Sequence, residues 1–266
     1  MSVHERLSEE IRNGQPIHLG KFWQERNAQG DWIRTPIEWI PIKKSSVPYL
    51  SDRQTYTLEL LSKKILYLSS WGFGYTGTSQ YCPVPIADTW ITSRIREKLQ
   101  KQFIDIFDEE ERFFIQDVPA NVDCIWDDKT RTLSDTSYDA IVNSSMATEW
   151  KNRLLAKDKI YLLSNNHTKF NDFREMARLG EISSKDEHES EATEFAKHQG
   201  FLFGDSCKSP GGVEYWTKTI AKNWNKCEPE LEVCVVCGLV SGGGARTPES
   251  CAGIRPCITI EVTVVD

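Results

Sequence analysis

Cys234-Val235-Val236-Cys237 has the spacing of a thiolate pair, and Cys227, Cys251 and Cys257 lie nearby. Two such thiolates hold zinc when a tight turn makes them converge. In an extended strand an offset of three puts them on opposite faces instead. The nearly continuous apolar run from Leu231 to Val240 reads as a strand buried on both faces, yet Gly238 leaves room for a turn. Two readings stay open: a metal pair, or buried Cys acting as small hydrophobes. Gly72-Phe73-Gly74-Tyr75-Thr76-Gly77 matches G-x-G-x-x-G. That motif binds a dinucleotide where it opens a helix whose N-terminus holds the pyrophosphate. Here Pro83 and Pro85 follow, and the helical pattern waits until about Asp88. No cofactor is expected.

The five His show no H-E-x-x-H spacing, and no G-x-S-x-G frames a nucleophilic Ser. Glu109-Glu110-Glu111 reads as an exposed helical turn. Ser183 to Glu191 reads as a solvated acidic loop, without the ligand spacing and Gly turn that calcium requires. No catalytic residue and no metal ligand is assigned.

These residues are positioned by elements that the apolar pattern outlines. Val3, Leu7 and Ile11 predict a short amphipathic helix ended by Gly14, an N-terminal extension over 1–14 of a single domain at 15–266. Ile17 to Trp23, Pro36 to Ile42 and Tyr56 to Leu68 read as strands, with Gln29-Gly30-Asp31 as a turn. Trp71 to Asp88 is a loop. Asp88 is then expected to cap the strongest helix, through Trp90, Ile91, Ile95, Leu99, Phe103 and Ile106, with Asp108 capping a further turn to Phe113. Trp90, Ile95, Leu99 and Phe103 are assigned to the core, and Arg94 and Arg96 to weak surface pairs. Asp117 to Met146 reads as irregular, Lys159 to Ser164 as a strand and Asn166 to Leu179 as a helix. Glu214 to Thr219, Leu231 to Val240 and Ile254 to Val264 are the last strands, with Ser241 to Gly244 as a turn. Arg255 is expected to anchor to carbonyl or carboxylate partners. Strands at both ends predict an α+β domain whose N- and C-terminal strands pair around a helical and irregular middle.

Composition bounds the partners. The chain has 266 residues, 39% hydrophobic and 27% charged, with a net charge of −7, an ordinary globular balance. That charge argues against nucleic acid, whose binding depends on Lys and Arg, and against an anionic membrane surface. No apolar run approaches the roughly 20 residues that cross a bilayer. The start lacks a basic-then-apolar leader, so a reducing cytoplasm is expected, with the eight Cys mostly thiols and display on an assembly as the alternative. Nine Trp suit an irregular, loop-rich core.

The order of segments resembles a family of bacterial domains of unknown function. It runs Pro36-Ile37-Glu38-Trp39, Leu60-Leu61-Ser62-Lys63-Lys64-Ile65-Leu66, and Trp90-Ile91-Thr92-Ser93-Arg94-Ile95-Arg96-Glu97-Lys98-Leu99. Asp158-Lys159-Ile160-Tyr161-Leu162-Leu163-Ser164, Tyr215-Trp216-Thr217-Lys218-Thr219 and Gly253-Ile254-Arg255-Pro256-Cys257-Ile258-Thr259-Ile260 follow. The family's elements are P-I-E-W, L-L-S-K-x-I-L, W-x-x-S-x-[IL]-R-x-x-L, D-K-[IV]-F-L-L-S, Y-W-L-R-S and G-V-R-P-x-L-x-I; the fifth departs here, with Thr-Lys-Thr replacing Leu-Arg-Ser. The family is similar to the C-type lectin-like fold of formylglycine-generating enzymes and of binding proteins diversified by retroelements. The resemblance implies a non-catalytic recognition domain that takes a protein or glycan ligand between Trp216 and Ser250. Lys218, Asn223, Trp224, Asn225 and Arg246 are its expected ligand-binding residues, with Asn223 to Asn225 in a loop whose Trp and Asn offer stacking and adaptable hydrogen bonds. A thiol- or metal-dependent enzyme using the C-terminal Cys, and a decoration protein of a phage or other assembly, are the alternatives.

Overall fold

Helix α1 (Val3–Arg12) is fixed at both ends. The Ser2 hydroxyl accepts from Glu5 N at 3.2 Å while the Glu5 carboxylate accepts from Ser2 N at 2.8 Å, a reciprocal cap. Past its end Gly14 sits at φ +61°, a left-handed turn that sends the chain into the first strand. Leu7 and Ile11 are buried in the main core, and His4 Nε2 lies 2.8 Å from the Thr263 carbonyl of the last strand.

The computed structural model describes residues 1–50, 53–70, 90, 93–120, 125–127, 132–134, 156–163, 191–199, 215–223, 230–236, 243–246 and 251–265. Strands β1 (Ile17–Arg26), β2 (Trp32–Leu50) and β3 (Arg53–Ser62) make an antiparallel meander. In the β1–β2 turn, Asn27 Oδ1 accepts from the N–H groups of Gln29 and Asp31, and Gly30 takes φ +88°. β4 (Tyr67–Ser70) follows, then α2 (Arg94–Lys101), a 3-10 turn at Phe103–Ile106 and α3 (Glu109–Phe114). The short strands β5 (Val118–Pro119), β6 (Ile125–Asp127), β7 (Thr132–Ser134), β8 (Lys157–Asp158) and β9 (Ile160–Tyr161) precede α4 (Glu194–His198). The C-terminal part holds β10 (Tyr215–Asn223), β11 (Glu230–Val236), β12 (Gly243–Arg246), β13 (Cys251–Ile254) and β14 (Cys257–Val265).

The first sheet has the order β1-β2-β3-β14-β9, and the second β12-β11-β10-β13-β4, with β6 and β7 joined through β10. The result is α+β with mostly antiparallel pairing. The terminal strands share the first sheet but do not pair with each other. β3 takes the place beside β14, matched from Arg53↔Val265 to Leu61↔Cys257, and β2 separates it from β1. The termini meet instead through α1, which packs on both β1 and β14.

Two expectations about the middle change. The main helix starts at Arg94, because Ser93 takes the cap: its hydroxyl accepts from Arg96 N at 3.2 Å. Asp88 and Ile91 lie outside the described residues, as do 71–87, 164–190 and the Ser241–Gly242 part of the expected turn. Trp90 precedes the helix, yet it is buried with Ile95, Leu99 and Phe103. Periodicity had reported the core-facing side correctly across a break in the helix. Asp108 does cap α3, but Glu111 within the Glu109-Glu110-Glu111 run is buried. It accepts from Asp108 N, Gly20 N and Arg6 Nη2 at 3.1 to 3.2 Å.

The two sheets meet at one corner. β3 and β4 run antiparallel to β14 and β13, and both chains change sheet at the same place. Between Leu61↔Cys257 and Tyr67↔Ile254, residues 62–66 stand opposite only Arg255 and Pro256. The corner is bonded across: Ser62 N donates to Pro256 O and Leu66 N to Ile254 O, each at 2.9 Å. Arg255, 1% exposed, donates Nε to Ser62 O at 2.8 Å. The expected single strand from Ile254 to Val264 is therefore two, broken where Pro256 removes an N–H. Arg255 anchors to a carbonyl, as its burial demands.

Candidate functional site

The ligand-binding residues expected from sequence fall on the second sheet. Lys218 and Asn223 belong to β10 and Arg246 ends β12; Trp224 and Asn225 lie outside the described residues. Asn223 was expected in a loop, but it closes the β10 ladder opposite Glu230. Val233 of β11 stands between Ile220 on one side and Arg246 on the other, so β10 and β12 flank one central strand. Lys218 lies where the ladder slips. Between Trp216↔Val235 and Ile220↔Val233, residues 217–219 of β10 stand opposite Cys234 alone, a bulge that loosens the local pairing. β10 is tied to the corner strand by its parallel pairing at Tyr215↔Gly253.

Cys234 is in β11 opposite Ala245, Cys251 begins β13 opposite Ser70, and Cys237 and Cys227 lie outside the described residues. Cys257 is a fully buried thiol in the core. Among the described residues no group of three or more His, Cys, Asp and Glu is placed to hold a metal.

Elsewhere the motif residues are held by hydrogen bonds that tie distant parts of the chain together into a frame. Asp158, with no exposure, accepts from Trp90 Nε1 and Arg96 Nε, each at 2.7 Å. Arg96, expected in a weak surface pair, thus bonds a fully buried carboxylate, and loss of Arg96 would strip a buried charge of its cation. Trp39 Nε1 donates to Leu19 O at 2.8 Å, and Lys63 Nζ reaches Glu38 at 2.7 Å. The Tyr161 hydroxyl donates to Glu59 Oε1 at 2.9 Å and lies 2.9 Å from Thr259 Oγ1. Burial, then the nearby Cys257 and Glu59, push its pKa well up; burial alone does the same for Tyr67.

A second, open place lies beside β1. A cleft of about 450 Å³ runs between the β1–β2 ribbon, the corner residues Lys63 and Lys64, and α4. On its wall the Glu10 carboxylate holds His18, with Oε1 2.9 Å from Nδ1 and Oε2 accepting His18 N at 3.2 Å. No motif flags this pair; it forms only because Gly14 reverses α1 onto β1. Cross-strand cation–π pairs brace the ribbon, and Phe195 fastens it to α4. Arg34 lies 4.2 Å over Trp23 and Arg26 4.5 Å over Trp32, and Phe195 of α4 packs on both indoles. These rings form a clasp, already engaged by protein groups.

No protein family, curated protein or solved structure matches the chain. No helix among the described residues is long and apolar enough to cross a membrane.

Proposed function

We propose that the chain is a non-catalytic recognition domain that presents its ligand surface from β10, β12 and the connection at 224–229, on a scaffold of the C-type lectin-like type. The observation that carries this reading is the β10-β11-β12 ladder. It sets Lys218, Asn223 and Arg246 on two strands flanking a common neighbour, and the chain runs from Asn223 directly into Trp224 and Asn225. Aromatic and amide side chains suit a protein or glycan ligand. The frame favours the same division: buried Asp158 is engaged with Arg96, buried Arg255 with the Ser62 carbonyl, and the Cys257 thiol is fully buried in the core.

The test is an array of glycans and cell-surface proteins, probed with the wild type and with a Trp224→Ala/Asn225→Ala chain. The reading expects binding by the first and loss by the second, with both folded by circular dichroism. Equal binding by the two would reject this surface.

A further inference from the structure

The cleft beside β1 contains groups whose bonding is incomplete. Glu10, 8% exposed, lies with Oε1 2.9 Å from Nδ1 of His18; in the tautomer with the ring proton on Nδ1, Nε2 is an acceptor. Nε2 has no partner among the described residues, and the His18 side chain is 39% exposed on the cleft wall. Lys64 and Lys197 are exposed, line the same cleft, and their ammonium groups have no partner among the described residues. Lys63 adds a third ammonium, 2.7 Å from Glu38. His18 and Glu38 are cross-strand partners, so the imidazole and the Lys63–Glu38 pair are neighbours on the ribbon.

We propose that this cleft binds a small monocarboxylate carrying a hydroxyl close to the acid, as a uronic acid does with its 4-hydroxyl. The lysines take the carboxylate through charge-assisted bonds, and His18 Nε2 accepts from the hydroxyl. Glu25, Glu38, Glu191 and Glu194 line the same space and oppose a second negative charge, which selects against inorganic phosphate and polyanions. Among the described residues the site draws on β1, β2, the corner and α4. The residues named for it are different ones from those of the display surface proposed above.

The experiment is an NMR titration of the full chain with sodium D-glucuronate, sodium acetate and inorganic phosphate, following the His18 ring protons and backbone amides. Glucuronate is expected to shift His18 and its neighbours saturably, with acetate and phosphate each about tenfold weaker. Lys64→Gln/Lys197→Gln, two exposed changes, is expected to weaken glucuronate by about tenfold while leaving the rest of the spectrum in place. Trp224→Ala/Asn225→Ala is expected to bind glucuronate as the wild type does, so this site and the display surface fail separately. Absence of a saturable shift with glucuronate, phosphate or acetate binding equally well, or a lysine variant that binds like wild type overturns the proposal.

Discussion

At Asp158 a guanidinium and an indole N–H close on a carboxylate that has no exposure. In the cleft beside β1, Arg26, Lys63, Lys64 and Lys197 stand among Glu25, Glu38, Glu191 and Glu194 around open space. The residue types are alike and the consequences opposite. A buried charge is tolerable only with its full set of partners, so each member of the Asp158 knot becomes indispensable to the fold. Exposed charges are solvated whether or not they pair, and changing one costs the fold little. Recognition chemistry can vary in the second setting and not in the first.

The largest effect is expected at the knot. Asp158→Ala removes the fully buried acceptor shared by Arg96 Nε and Trp90 Nε1, and should lower unfolding free energy by about 3–5 kcal/mol in urea denaturation. An unchanged midpoint would break the contrast. Gly20→Ala tests the same frame through packing. Gly20 sits at φ +67°, and an added Cβ would lie 2.9 Å from the Phe107 ring and 3.1 Å from Ile106. Left-handed strain and overpacking together should cost about 2 kcal/mol or more, read as a fall in thermal midpoint. On the open side, Lys63→Gln removes a pair whose side chains are 50% and 31% exposed; a loss above about 1 kcal/mol would contradict its surface character.

The smallest effect at neutral pH belongs to Tyr67, whose pKa is raised by burial. Folding favours its protonated form. The stability so gained is complete below the ordinary tyrosine value of about 10, and is lost as pH rises from there toward the raised folded value. Urea midpoints should be flat below that point and fall above it, less steeply in Tyr67→Phe. Equal slopes would show that other groups govern alkaline unfolding.

Local signals were legible where one element answers for itself. The α1 period with its Gly14 stop, the Asp108 cap and the turn at Gln29 to Asp31 follow from spacing rules applied to neighbours, and the need of Arg255 for an anchor follows from its apolar strand, though not that Ser62 supplies it. What was not legible depends on partners distant in the chain. Glu111 is buried because Arg6 and Gly20 come to it from across the fold, so its acidic run resembles a solvated turn. Arg96 meets Asp158 sixty-two residues away. The apolar stretch through Gly253 to Val264 looks continuous, and the change of sheet at Arg255 and Pro256 arises from the corner opposite it. For the site, the sequence pointed to Lys218, Asn223 and Arg246 but expected Asn223 and Arg246 in loops, whereas they lie on strands β10 and β12; neither the bulge at 217–219 nor the Glu10–His18 pair was legible.

The division between frame and display surface is tested most directly by measuring unfolding and binding together in two variants. One is Asp158→Ala; the other replaces residues 224–229 with Gly and Ser at unchanged length. The first is expected to lose about 3–5 kcal/mol, whereas the second is expected to unfold at the wild-type midpoint and lose its binding on the glycan and protein array. A replaced chain that unfolds as readily as Asp158→Ala, or that binds as the wild type does, contradicts that division.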